Sequence, residues 1–125
     1  AFRKEIEMHF GEPFPPAMRE SWLRLSNGHY LHLDGFNDAL SIAFEYQGAQ
    51  HFKHIPYFHR TREAFLRQQD RDEIKAQRCR ERGVKLLLPT YLLDPRDFGR
   101  FIVACEIARK AVDRSVEFTH ARATI

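Results

Sequence analysis

With 125 residues, 43% of them hydrophobic and 13% aromatic, the chain has the size of one globular domain and can bury a real core. No window approaches the roughly 18 apolar residues that a bilayer-spanning helix needs, and no signal-peptide pattern is present, so membrane and secretory classes drop out and a soluble cytoplasmic protein is expected. Cys79 and Cys105 are too few and too isolated for a disulfide framework or a paired-cysteine zinc site, and the net charge of +3 is only mildly basic.

In chain order, Phe2, Ile6 and Phe10 predict a helix, which "GEPFPP" then breaks with one glycine and three prolines. The chain opens at Ala1 already inside that helical pattern, which reads as a single domain over residues 1–125 forming a C-terminal fragment of a longer protein. A loop holding Trp22 and Leu23 ends in the turn "SNG". From "HYLHLD" the period changes to two, with Tyr30, His32 and Asp34 facing one way and Leu31 and Leu33 the other. "GFNDA" supplies a turn, and "LSIAFEYQ" returns as a second strand in which Ile42, Phe44 and Tyr46 alternate with Ala43, Glu45 and Gln47. The expectation is a β-hairpin with one core face and one polar face.

Residues 60–82 predict one long charged helix with Phe65, Leu66, Ile74 and Cys79 as its apolar contacts and Gly83 as its C-terminal cap. "VKLLLP" is a short buried strand ended by Pro89. Asp94 caps a last helix that has Pro95 at its first position and a stripe of Phe98, Phe101, Ile102, Cys105, Ile107 and Ala108. Helix, hairpin, helix, strand and helix in this order predict an α/β fold, a mixed central β-sheet flanked by helices.

The hairpin is where chemistry concentrates. A turn centred near Ala39 sets Asp34 across from roughly Phe44, which makes Glu45 a close diagonal neighbour. Like charges side by side in a sheet are destabilising unless something binds them, and Mg²⁺, which takes one or two carboxylates with water and substrate phosphate, is the economical partner. Gln47 shares that face and can hold a water or phosphate oxygen, while Gly48 lets the chain bring His51 back over the site as a general base. Taken singly, each residue has a plainer reading. Asp34 is a turn residue, Glu45 and Gln47 are the solvent face of an edge strand, and His51 with His54 and His59 is a small zinc site.

From Arg60 to Lys85 there are nine basic residues against five acidic ones. Such a segment is either a solvated helix laced with ion pairs or a face for a polyanion such as DNA. In the second case Lys53, Arg60, Arg67, Arg71, Lys75 and Arg78 are the nucleic-acid contacts.

The run "LDGFNDALSIAFEYQGAQH", continued by "DRDEIKAQRCRERGVKLLLP", resembles the PD-(D/E)XK nuclease superfamily, and within it the small endonucleases similar to the very-short-patch mismatch repair enzyme and the EDxHD homing endonucleases. The likeness covers roughly residues 29–91. Asp34 matches the aspartate of the first hairpin strand; Glu45, Gly48 and His51 match an E-x-x-G-x-x-H arrangement; and Arg71 with Asp72 matches an arginine-aspartate pair on the following helix. The resemblance implies a restriction-endonuclease-like core that hydrolyses DNA phosphodiester bonds with Mg²⁺ or Mn²⁺. It implies Asp34 and Glu45 as metal ligands, His51 as the residue that positions or deprotonates the attacking water, and Asp72 as the group that orients His51.

Two departures stand out. The superfamily's usual lysine, two residues after the glutamate, is Gln47 here, which cannot act as a cation. Many members add a glutamate from the first helix, for which Glu5 and Glu7 are candidates unless the equivalent lies upstream of Ala1. A catalytically silent nucleic-acid-binding or interaction module on the same fold therefore stays open as the alternative. A domain this small has little surface for long readout, so target specificity is expected from homodimerisation or from another domain upstream.

Overall fold

The computed structural model describes residues 1–53 and 61–108, so the expectations placed on His54, His59 and Arg60 lie outside the described residues. Helix α1, Phe2–Phe10, forms because Phe2 and Ile6 fall one turn apart and both are buried. Gly11, with φ 67°, ends it in the left-handed conformation and donates its N–H to the Glu7 carbonyl. The Glu7 carboxylate accepts the Phe14 N–H at 2.6 Å, which turns the proline-rich loop back and sets Phe14 into the core.

Leu31 and Leu33 are buried while His32 and Asp34 are exposed, so the expected alternation holds, but residues 29–34 form no strand, their ladder contacts being the isolated bridges of Arg24 with Tyr30 and Ala17 with Leu33. The first strand, β1, starts later, at Gly35–Asn37. Gly35 therefore serves a strand and not the turn: a Cβ there would lie 2.1 Å from the Phe44 ring. The turn itself spans residues 38–41, where Asn37 Oδ1 accepts the Leu40 N–H at 2.9 Å and the Asp38 carbonyl accepts the Ser41 N–H at 3.1 Å.

Strand β2, Ile42–Phe44, pairs antiparallel with β1 (Gly35↔Phe44) and parallel with β3, Lys85–Leu87 (Phe44↔Leu87), giving a three-stranded mixed sheet in the order β1-β2-β3. Its central place corrects the hairpin expectation. Ile42, Ala43 and Phe44 are all buried, because a strand flanked on both edges and covered on both faces has no polar side. Ile42 and Phe44 join Phe2, Ile6, Phe14, Leu87, Phe98 and Ile102, while Ala43 joins Leu23, Leu33, Phe36, Cys79 and Val84. Polar side chains begin only past the strand's end, at Glu45.

Helix α2, Arg62–Arg82, is the crossover that a parallel β2-β3 pair requires. Thr61 caps its start by accepting the Ala64 N–H at 3.1 Å, and Gly83, with φ 75°, ends it. Leu66 and Ile74, expected as apolar contacts, are exposed. The inward stripe is instead Phe65, Gln68, Asp72, Lys75, Ala76 and Cys79. The Asp94 side chain accepts the Arg96 N–H at 2.9 Å and opens a 3-10 turn, Pro95–Asp97, that runs into helix α3 over residues 98–108. Phe98 and Ile102 of α3 are buried, but Ile107, read from sequence as part of the same stripe, is 63% exposed, and Ala108 is exposed too. No helix among the described residues is long and apolar enough to cross a membrane.

Candidate active site

The register Gly35↔Phe44 makes Asp34 and Glu45 the next facing positions, directly opposite where a diagonal was expected. Asp34 is held from two sides. Its Oδ2 accepts the Tyr46 N–H at 2.8 Å, and its backbone carbonyl accepts from the Arg3 guanidinium, which also reaches the Phe14 carbonyl. Glu45 is positioned by the sheet, since its N–H donates to the Leu87 carbonyl at 3.0 Å and continues the parallel ladder one residue past β2.

Beyond Glu45 the chain makes one more parallel bridge, Gln47 with Thr90, then turns through Ala49–His51. That turn delivers His51 to α2, where His51 Nδ1 lies 2.7 Å from Asp72 Oδ2. An ionised carboxylate only accepts, so the imidazole proton sits on Nδ1 and the lone pair on Nε2. One helical turn further along α2, Lys75 Nζ donates to Glu45 Oε2 at 2.6 Å, with only 12% and 15% of the two side chains exposed. Burial lifts the Glu45 carboxyl above its ordinary value of 4.5; Lys75 opposes that lift by charge and hydrogen bond, and Asp34 and Asp72 add to it.

These groups share a cleft of about 280 Å³ whose walls include Tyr30, His32, Glu45, His51, Arg71, Asp72 and Lys75. The structure thus brings together Glu45, His51, Asp72 and Arg71 and sets Asp34 beside them, whereas Gln47 does not line the cleft. Neither Glu5 nor Glu7 lines it, and Glu7 is engaged by Phe14. Of the expected nucleic-acid contacts, Lys53, Arg67 and Arg71 are exposed. Arg78 departs from that expectation: its NH1 donates to the Trp22 carbonyl at 3.0 Å and the Arg24 carbonyl at 3.2 Å, which joins α2 to the loop preceding β1. Lys75, read from sequence as a phosphate contact, is the partner of Glu45.

Among the described residues no group of three or more His, Cys, Asp or Glu side chains is arranged to hold a metal ion, so a protein-only zinc shell has no support there. Of the two carboxylates expected as metal ligands, Asp34 engages the Tyr46 N–H through Oδ2 and Glu45 engages Lys75 through Oε2, which leaves one carboxylate oxygen on each without a bond to these groups. Lys75 is read from sequence only as a nucleic-acid contact, and the cleft-lining Tyr30 and His32 are not among the site residues read there. The available clue was α2 itself, where Gln68, Arg71, Asp72 and Lys75 repeat at helical spacing and put polar groups on one face.

The chain is 40% identical over 103 residues to Uncharacterized protein 033L of Invertebrate iridescent virus 3, a match covering 82% of this chain and 53% of that protein. It is 38% identical over 94 residues to Uncharacterized protein 307L of Invertebrate iridescent virus 6, covering 65% of this chain and 48% of that one. It is also 32% identical over 82 residues to Uncharacterized protein 094L of Frog virus 3 (isolate Goorha), covering 65% and 53%. No protein-family model and no solved structure matches. The chain spans about half the length of these curated relatives.

Proposed function

We propose that the chain is a metal-dependent endonuclease domain, with a restriction-endonuclease-like core, that hydrolyses DNA phosphodiester bonds. The observation that carries this reading is the meeting of the His51–Asp72 pair and the Glu45–Lys75 pair in one cleft, reached from the sheet and from α2. Asp34 and Glu45 would hold Mg²⁺ or Mn²⁺, and the ion would supply Lewis-acid stabilisation of charge on the scissile phosphate. Asp72 keeps the His51 proton on Nδ1, so that Nε2 accepts the proton of the attacking water. Arg71 takes a non-bridging phosphate oxygen at the cleft wall. Lys75 supplies from α2 the cation that Gln47 cannot supply from the strand.

Cleavage of supercoiled plasmid and of a labelled oligonucleotide in Mg²⁺ and Mn²⁺ tests this reading. His51→Ala is expected to lose about 10²-fold or more, and Asp34→Ala and Glu45→Ala to lose cleavage while retaining DNA affinity. Cleavage by Asp34→Ala and Glu45→Ala equal to that of the parent protein sinks it. One observation favours a second reading, a silent DNA-binding module: Lys75 already neutralises Glu45. DNA binding without cleavage in either metal selects that reading.

A further inference from the structure

Two cation-aromatic pairs lie on either side of the β2 extension, and one of them is in the cleft wall. Tyr30 lines it and carries the Arg24 guanidinium 5.8 Å from its ring centroid. On the other side, the Gln47 carbonyl accepts the Tyr91 N–H at 2.9 Å, the Tyr91 ring lies 6.0 Å from the Phe52 ring, and Lys53 Nζ sits 6.0 Å over Tyr91. The segment carrying Tyr30 leads into β1, Tyr91 follows β3, and β2 lies between those strands, so the two pairs flank the β2 extension that bears Glu45 and Gln47. Phe52, the residue directly after His51, is 48% exposed, although an aromatic ring of this size ordinarily goes inside.

Rings presented beside cations, Tyr30 with Arg24 in the wall of the cleft that holds Arg71 and Tyr91 with Lys53 across the β2 extension, are the features with which proteins bind single strands: bases stack on the rings and the backbone runs along the cations. Bases inside a duplex already stack on one another and reach such rings only after being drawn out. A cleft of about 280 Å³ is on the scale of a single nucleotide and far too small for a double helix.

Taking from the nuclease reading only the position of the scissile phosphate, we propose that the cleft receives an unpaired DNA strand, with a phosphate at Arg71 and the flanking bases stacked on Tyr30 and Phe52. The substrate is then single-stranded, frayed or branched DNA.

Binding is measured without divalent metal, using a labelled oligodeoxythymidylate and a blunt duplex of equal length with the wild-type chain and Tyr30→Ala, Tyr30→Phe and Phe52→Ala. The single strand is expected to bind at least about tenfold tighter than the duplex. Tyr30→Ala and Phe52→Ala each weaken single-strand binding by about tenfold and leave duplex binding unchanged, and Tyr30→Phe restores the parent affinity because the ring suffices. Equal affinity for the two forms, or single-strand affinity untouched by both alanine variants, overturns the inference. Intact, ring-dependent single-strand binding with no hydrolysis in Mg²⁺ or Mn²⁺ refutes the nuclease reading and supports this one.

Discussion

Glu45 and Lys75 meet with most of both side chains out of water, a position where each charge depends on the other. Burial raises the Glu45 carboxyl, so the native state holds a proton at pH values where the unfolded chain has released it. By linkage this stabilisation is fully present below the ordinary value of 4.5 and is lost as pH rises through the raised native value. Lys75→Met removes the main opposing influence. Its urea-unfolding midpoint is expected to fall more steeply with rising pH than that of the parent, with a destabilisation at neutral pH of about 3 kcal/mol from the unpaired carboxylate. Glu45→Gln in the Lys75→Met background removes that slope and recovers most of the loss. A Lys75→Met protein whose pH profile matches the parent's shows that the pair is not coupled. Two residues after Glu45, where the resemblance expects a cation, the chain carries Gln47. The lysine that meets Glu45 comes from 30 residues further along the chain, a separation that strand periodicity cannot register.

At the level of elements, helices were more legible than strands. The start and end of α2 follow from local chemistry, a threonine cap and a left-handed glycine, so the sequence marks them directly. Its inward face departs from the apolar pattern, since Asp72 and Lys75 face the cleft and Leu66 and Ile74 face solvent. The hairpin strands shrank to three residues each, since the alternation of residues 30–34 records burial of Leu31 and Leu33 under a loop and not ladder pairing. Gly35 shows the cost of reading glycine as a turn signal: β1 and β2 approach so closely that the Phe44 ring lies over its Cα. Gly35→Ala is therefore expected to lose about 1–3 kcal/mol by overpacking. Gly99→Ala, where an added Cβ meets nothing within 4 Å, is expected to be neutral or slightly stabilising. Urea midpoints for the two variants check the contrast, and a Gly35→Ala protein as stable as its parent shows that Phe44 rotates away without loss.

Across the whole molecule, counting charge says how many cations a segment holds and nothing of where they point. Within the stretch from Arg60 to Lys85, α2 carries seven basic residues against five acidic ones and directs the basic ones to different tasks. Arg78 fastens α2 to the carbonyls of Trp22 and Arg24, so the helix and the amino-terminal half that supplies Asp34 and Tyr30 hold together. Lys75 is committed to Glu45, while Arg67 remains exposed for a phosphate. Arg78→Ala leaves the partly buried Trp22 carbonyl without its donor and frees the exposed Arg24 carbonyl, and is expected to cost about 1–3 kcal/mol of stability. The dependence of DNA affinity on salt should stay unchanged in that variant. Arg67→Ala is expected to do the reverse. Stability stays the same, and the slope of log affinity against log salt falls in magnitude by about 0.7–0.9, the share of one phosphate contact. Unfolding curves and salt titrations on the two variants separate the roles. An Arg78→Ala protein that keeps its stability and loses salt dependence instead returns Arg78 to the DNA-binding face and leaves another contact to hold α2 against the loop.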